Sequence, residues 1–116
     1  MNKQESGKLG EDAALAYLMK KGYRLLARNY RARRCEIDLV MENEPYLVFV
    51  EVKARSNKDF GLGREAVTPV KQRNIVKAAE YFAVTHGMAE RFIRFDVAEV
   101  DLAAGKITYI VDAFRC

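Results

Sequence analysis

With 116 residues, half of them hydrophobic and 31% charged, the chain has an ordinary globular composition and the length of a single domain, 1–116. Disorder and membrane insertion are not expected: no apolar run approaches the ~20 residues of a spanning helix, and Met1 to Gly10 lacks the apolar stretch of a secretion signal, so a cytoplasmic location is. Cys35 and Cys116 lie far apart and provide neither a disulfide framework nor a zinc-type ligand cluster.

The net charge of +4 is unevenly spread. Residues 1–34 carry nine Lys or Arg against three acids, and residues 53–77 carry seven against two. Basic segments flanking an acidic centre fit a phosphate-binding rim around a cation-binding pocket; the plainer alternative is a solvated surface with its charges in blocks.

In chain order, Ala14, Leu15 and Leu18 recur at helical spacing within Ser6 to Lys21, and Gly22 stops that helix. Tyr23 to Tyr30 and Cys35 to Met41 read as strands, the second alternating Ile37, Leu39 and Met41 against Glu36, Asp38 and Val40. Asn43, Glu44 and Pro45 turn the chain into Tyr46 to Val52, a nearly continuous apolar strand of the kind covered on both faces. Ala54 to Val67 has no period and reads as a long loop. Thr68 and Pro69 open a second helix whose stripe is Ile75, Ala78, Ala79 and Phe82 and whose end is Gly87. Arg91 to Leu102 and Lys106 to Asp112 form a last strand pair. The predicted order is αβββαββ, an α/β protein with a mixed sheet flanked by helices.

A symmetric hairpin around the Asn43 to Tyr46 turn sets Glu42 against Leu47 and Asp38 against Glu51. Opposed residues on one sheet face have Cβ atoms about 5 Å apart, and like charges there are destabilising unless something cancels them. A divalent cation would do so. Lys53 shares the Glu51 face, where an ammonium can hold or polarise a water, and Val52 can offer its backbone carbonyl. Glu11 lies on the apolar stripe of the first helix. With it, the three acids and Lys53 sum to a formal −2, which one Mg²⁺ or Mn²⁺ would neutralise through oxygen ligands.

Asp38 followed after an apolar strand by Glu51-Val52-Lys53 resembles the PD-(D/E)xK nuclease signature. Gly10-Glu11, Gly22-Tyr23, Asn29-Tyr30, Glu36-Ile37-Asp38, Phe49 to Lys53, Lys71 and Arg94-Phe95-Asp96 resemble the YraN-type family of uncharacterised nuclease-like proteins over nearly the whole chain. The resemblance implies a restriction-endonuclease-like fold with kinship to archaeal Holliday-junction resolvases, whose helix-one glutamate corresponds to Glu11. It also implies DNA, branched or structured, as the substrate, and a homodimer. The family usually has glycine where this chain has Cys35, whose side chain is expected to point away from Asp38.

Each residue has a plainer reading. Asp38, Glu51 and Lys53 could form a surface ion network worth ~0–1 kcal/mol, but Glu51 interrupts the strongest apolar run of the chain, where such a network is least expected. Glu11 could serve the helix dipole, and Glu36 is the rival ligand on the Asp38 face. Lys71 could meet a phosphate or merely snorkel. Arg55, Lys58 and Arg64 are candidate clamps on nucleic acid or ordinary loop charges; Arg31, Arg33 and Arg34 resemble a second phosphate track. His86, beside Gly87, fits a helix cap. The expected activity is metal-dependent hydrolysis of DNA phosphodiesters by an endonuclease of the PD-(D/E)xK type. The alternatives are a non-catalytic nucleic-acid-binding module and a partner-binding scaffold.

Overall fold

The computed structural model describes residues 2–55 and 67–115. Its elements are α1 (Lys3–Lys20), β1 (Arg24–Ala32), β2 (Cys35–Asn43), β3 (Tyr46–Arg55), α2 (Pro69–Thr85), β4 (Phe92–Asp101) and β5 (Lys106–Phe114). The strands lie in the sheet in chain order, antiparallel except for the parallel pair β3–β4, which α2 connects. This is the mixed αβββαββ arrangement expected of a restriction-endonuclease-like domain.

α1 begins three residues earlier than its apolar spacing indicates, because Asn2 and Glu5 close a capping box: the Asn2 side chain accepts from the Glu5 N–H at 2.8 Å, and Glu5 Oε1 accepts from the Asn2 N–H at 3.1 Å. Two orphan amides are thereby satisfied ahead of any buried residue. α2 starts as its sequence dictates, with the Thr68 hydroxyl accepting from the Lys71 N–H at 3.2 Å and Pro69 in the first turn. At its other end His86 Nδ1 lies 2.9 Å from the Phe82 carbonyl and the imidazole stacks on the Phe82 ring, so the histidine is a cap.

β3 is the central strand, and Leu47 to Val50 are at most 2% exposed because both faces are covered. Leu47 and Phe49 pack with Phe95, Val97 and the α2 stripe of Ile75, Ala78, Ala79 and Phe82. Val48 and Val50 pack with Met41, Ala98, Val100 and the α1 residues Ala14 and Leu18. Each fully buried Leu, Val or Phe in these layers contributes roughly 1.5–3 kcal/mol. α1 approaches β3 at Gly10, where an added Cβ would stand 2.5 Å from the Ala54 Cβ. β3 runs on to Arg55 rather than stopping at Val52, since β4 pairs with it in parallel as far as Arg55↔Asp101.

The β1–β2 hairpin turns on Arg33 and Arg34 between the paired Ala32 and Cys35, with φ of 55° and 61°. A two-residue turn with both central φ values positive favours Asn-Gly, and a side chain in that region costs roughly 1–2 kcal/mol. Beyond the turn, strict alternation fails. Ile37 packs in the α2-side layer while Leu39 packs in the α1-side layer, beside the left-handed Asn29 (φ 53°) of β1.

On the α1 side a buried carboxylate, Asp96, accepts from Arg94 Nε at 3.0 Å, from the Tyr109 hydroxyl at 2.5 Å and from the Asp112 N–H at 2.8 Å. Arg94 in turn donates to the Tyr23 hydroxyl at 2.7 Å. Arg94-Phe95-Asp96 therefore serves the interior: Phe95 fills one layer while its neighbours tie Tyr23, just ahead of β1, to β4 and β5 on the other face.

No helix among the described residues is long and apolar enough to cross a membrane.

Candidate functional site

The β2–β3 register is the one read from the turn, from Asn43↔Tyr46 to Leu39↔Val50. Past that point Asp38 Oδ2 itself accepts the Val52 N–H, at 2.7 Å, so a side chain replaces the main-chain acceptor. Asp38 and Glu51 come together here, at the wall of a depression of about 500 Å³ that Lys53, Val52, Glu36, Arg34, Thr68, Lys71 and Asn74 also line.

Burial, and next the charge of Glu51, push the Asp38 carboxyl up to about 7 against the pull of the Val52 N–H. Burial likewise raises Glu51, opposed chiefly by Lys71. Glu51 Oε2 lies 3.1 Å from Lys71 Nζ, whereas its Oε1 is buried with no hydrogen-bond partner. Lys53 is lowered by burial and then by its contact with Lys71. Lys71 is raised: burial alone would lower it, but Glu51, the contact with Lys53 and the charge of Asp38 together outweigh that. The site thus holds two acids that resist ionising together, beside two ammonium groups of which one gives up its proton more readily than a free lysine.

An unsatisfied, buried carboxylate oxygen beside a second acid is a donor set of the kind a hard divalent cation takes. Among the described residues no group of three or more His, Cys, Asp or Glu converges to hold a metal. The protein's own donors are therefore the two acids, with Val52 in the wall, and solvent or substrate oxygens would have to complete the shell.

The other expected residues are distributed as follows. Glu11 is not in this pocket. It accepts from Arg28 Nε at 3.3 Å and from Asn29 Nδ2 at 3.1 Å in a neighbouring depression, and reaches Asp38 through its charge, which helps raise that carboxyl. Glu36 lines the pocket but is paired with Arg31 Nη2 at 2.9 Å. Arg34 rims the site, while Arg33 lies over the Tyr81 ring, 5.9 Å from its centroid. Arg55 is the last residue of β3, not a loop residue, and does not line the pocket. Lys58 and Arg64 lie outside the described residues.

Cys35 corrects an expectation. Strict alternation would turn it away from Asp38, yet it lines the same pocket, and burial followed by the Glu51 charge raises its thiol. The cause is the break in alternation between Ile37 and Leu39, which carries Cys35 and Ile37 to the α2 side.

The sequence reading missed Thr68 and Asn74. The available signal was the helix start itself, because Lys71 and Asn74, three residues apart in the first turns of α2, share a face behind the capping threonine.

Fold and site together define a small mixed α/β protein with an acid pair and two lysines at the open end of a β-hairpin. Residues 10–100 match the model of the uncharacterised protein family UPF0102. The chain is 44% identical over 112 residues to a UPF0102 protein of Legionella pneumophila, covering 96% of this chain and 95% of that one. It is 41% identical over 114 residues to one of Clostridioides difficile, covering 98% and 100%, and 44% identical over 115 residues to one of Desulforapulum autotrophicum, covering 97% and 95%. The chain belongs to the UPF0102 family, the YraN-type family.

Proposed function

We propose that this protein is a metal-dependent nuclease of the PD-(D/E)xK superfamily, related to archaeal Holliday-junction resolvases, which hydrolyses DNA phosphodiester bonds in branched or structured substrates and acts as a homodimer. The observation that carries the reading is the buried Glu51 Oε1, left without a partner next to Asp38, whose carboxyl Glu51 helps to raise. A Mg²⁺ or Mn²⁺ ion at the two acids would supply positive charge against the phosphoryl oxygens and make an attacking water more acidic. Asp38 and Glu51 would hold it, with the Val52 carbonyl as a further donor from the protein; Glu11, engaged by Arg28 and Asn29 in the neighbouring depression, would not. Asp38 is fixed in place by the Val52 N–H, so its geometry does not depend on the ion. Lys53, half-buried at the pocket wall beside the two acids, is suited to orient the water. Lys71, released from Glu51, is suited to the charge that grows on the phosphate. The test is cleavage of branched and linear DNA with Mn²⁺ by wild type and Asp38→Ala. Cleavage by the wild type alone is expected; equal activity in both, or none in either across broad conditions, defeats the proposal.

A second reading is a nucleic-acid-binding module that cleaves nothing by itself. It is favoured by Lys71, which already neutralises one Glu51 oxygen. Salt-dependent DNA binding without metal-dependent turnover would select it.

A further inference from the structure

We infer that the candidate site continues as one cationic groove over the β1–β2 hairpin onto the first half of α1, and that this groove seats the phosphodiester backbone of DNA leading away from the site. The choice of DNA as the occupant rests on the nuclease reading.

Three depressions join end to end. Glu36 lines all of them; Arg34 and Cys35 are shared by the site and the middle one, and Arg31 by the middle one and the far one. The far depression adds Lys3, Lys8 and Arg28. Along the whole path seven Lys or Arg face four carboxylates, and the carboxylates are largely engaged: Glu36 by Arg31, Glu11 by Arg28 and Glu51 by Lys71. Among the described residues Lys3, Lys8 and Arg34 form no ion pair, although all three are exposed. Three unengaged cations spaced along one groove that ends at an acid pair match a polyanion rather than a compact anion.

The hairpin turn is an independent observation. Arg33 and Arg34 occupy two left-handed positions that glycine or asparagine would fill without strain. Arg34 has no ion pair to offset this in the folded chain, and its side chain rims the groove. Strain held at a position whose side chain faces a binding path is the expected mark of a contact kept for binding.

The test is fluorescence anisotropy of a labelled DNA duplex across a range of KCl concentrations, with divalent ions chelated. Lys3→Glu/Lys8→Glu is expected to weaken binding at least about tenfold and to lower the salt slope by about two. Arg34→Gly is expected to weaken binding several-fold, to lower the slope by about one and to raise the urea midpoint, so its loss of affinity is not unfolding. Lys106→Glu, at the exposed first residue of β5 outside the groove, leaves affinity and slope unchanged. Groove variants that bind as the wild type does, or a Lys106→Glu protein that loses as much as they do, would overturn the inference. Metal-dependent cleavage with unaltered affinity in the groove variants sinks the groove alone. Groove-dependent binding with no Mn²⁺-dependent cleavage sinks the nuclease reading alone.

Discussion

Lys71 reaches across from α2 to place its ammonium 3.1 Å from Glu51, so a cation of the protein's own already stands at the acid pair. An incoming divalent ion must compete with it. Replacing Lys71 with Met keeps the length of the stem and removes the competitor, so Mn²⁺ should bind more tightly, by up to about tenfold or ~1.4 kcal/mol. Electron paramagnetic resonance of free Mn²⁺ during titration measures this directly. Weaker binding in Lys71→Met would mean that the lysine supports the ion instead of standing in for it.

Asp38 makes folding stability depend on pH in an unusual direction. Its carboxyl is raised from 3.8 to about 7 by burial and by Glu51, so between those values the folded chain holds a proton that the unfolded chain has lost. The contribution of Asp38 therefore falls as pH rises from about 4 to 7. Asparagine can keep the bond from the Val52 N–H and cannot ionise. Urea denaturation of wild type and Asp38→Asn, free of metal, should show the variant gaining on the wild type through that window and holding its lead above it. A constant difference across the window would contradict the shift.

Asp96 is also a buried aspartate, and its hydrogen bonds hold the interior together. Its oxygens take bonds from Arg94, Tyr109 and the Asp112 N–H, so Asp96→Ala strands a largely buried guanidinium and a backbone donor. A loss of about 3–5 kcal/mol is expected from denaturant unfolding, with a correspondingly lower Tm. A change under ~1 kcal/mol would show that the network contributes little.

Gly10→Val examines the seam that brings α1 to the site. The Cβ alone would stand 2.5 Å from the Ala54 Cβ, so α1 must shift away from β3 at a cost of roughly 1–3 kcal/mol. Glu11 moves with it. Unfolding midpoints at the wild-type value would mean that the helix does not pack as closely as this.

Much of this arrangement could be read from residue order. The turn at Asn43 to Tyr46 set the β2–β3 register and so predicted that Asp38 and Glu51 meet, while Thr68-Pro69 marked the start of α2. Local signals failed where the deciding partner is distant. β3 extends to Arg55 because β4 pairs with it, and α1 starts at Lys3 because Asn2 and Glu5 cap one another before the apolar stripe begins. Cys35 faces the pocket because alternation breaks at Ile37, which period-two reasoning cannot foresee. Within the site, spacing showed that Glu11 faces inward but not that Arg28 and Asn29 would hold it in a neighbouring depression. It also placed a lysine at the head of α2 without revealing that it would bond to Glu51.

The central claim is that Asp38 and Glu51 together collect a divalent ion. Isothermal titration of Mn²⁺ into wild type and into Asp38→Asn/Glu51→Gln tests it most directly, because both replacements preserve shape while removing charge. Saturable uptake by the wild type that vanishes in the double variant is the predicted result. Uptake of the same size and affinity by both proteins, or by neither, would contradict the account.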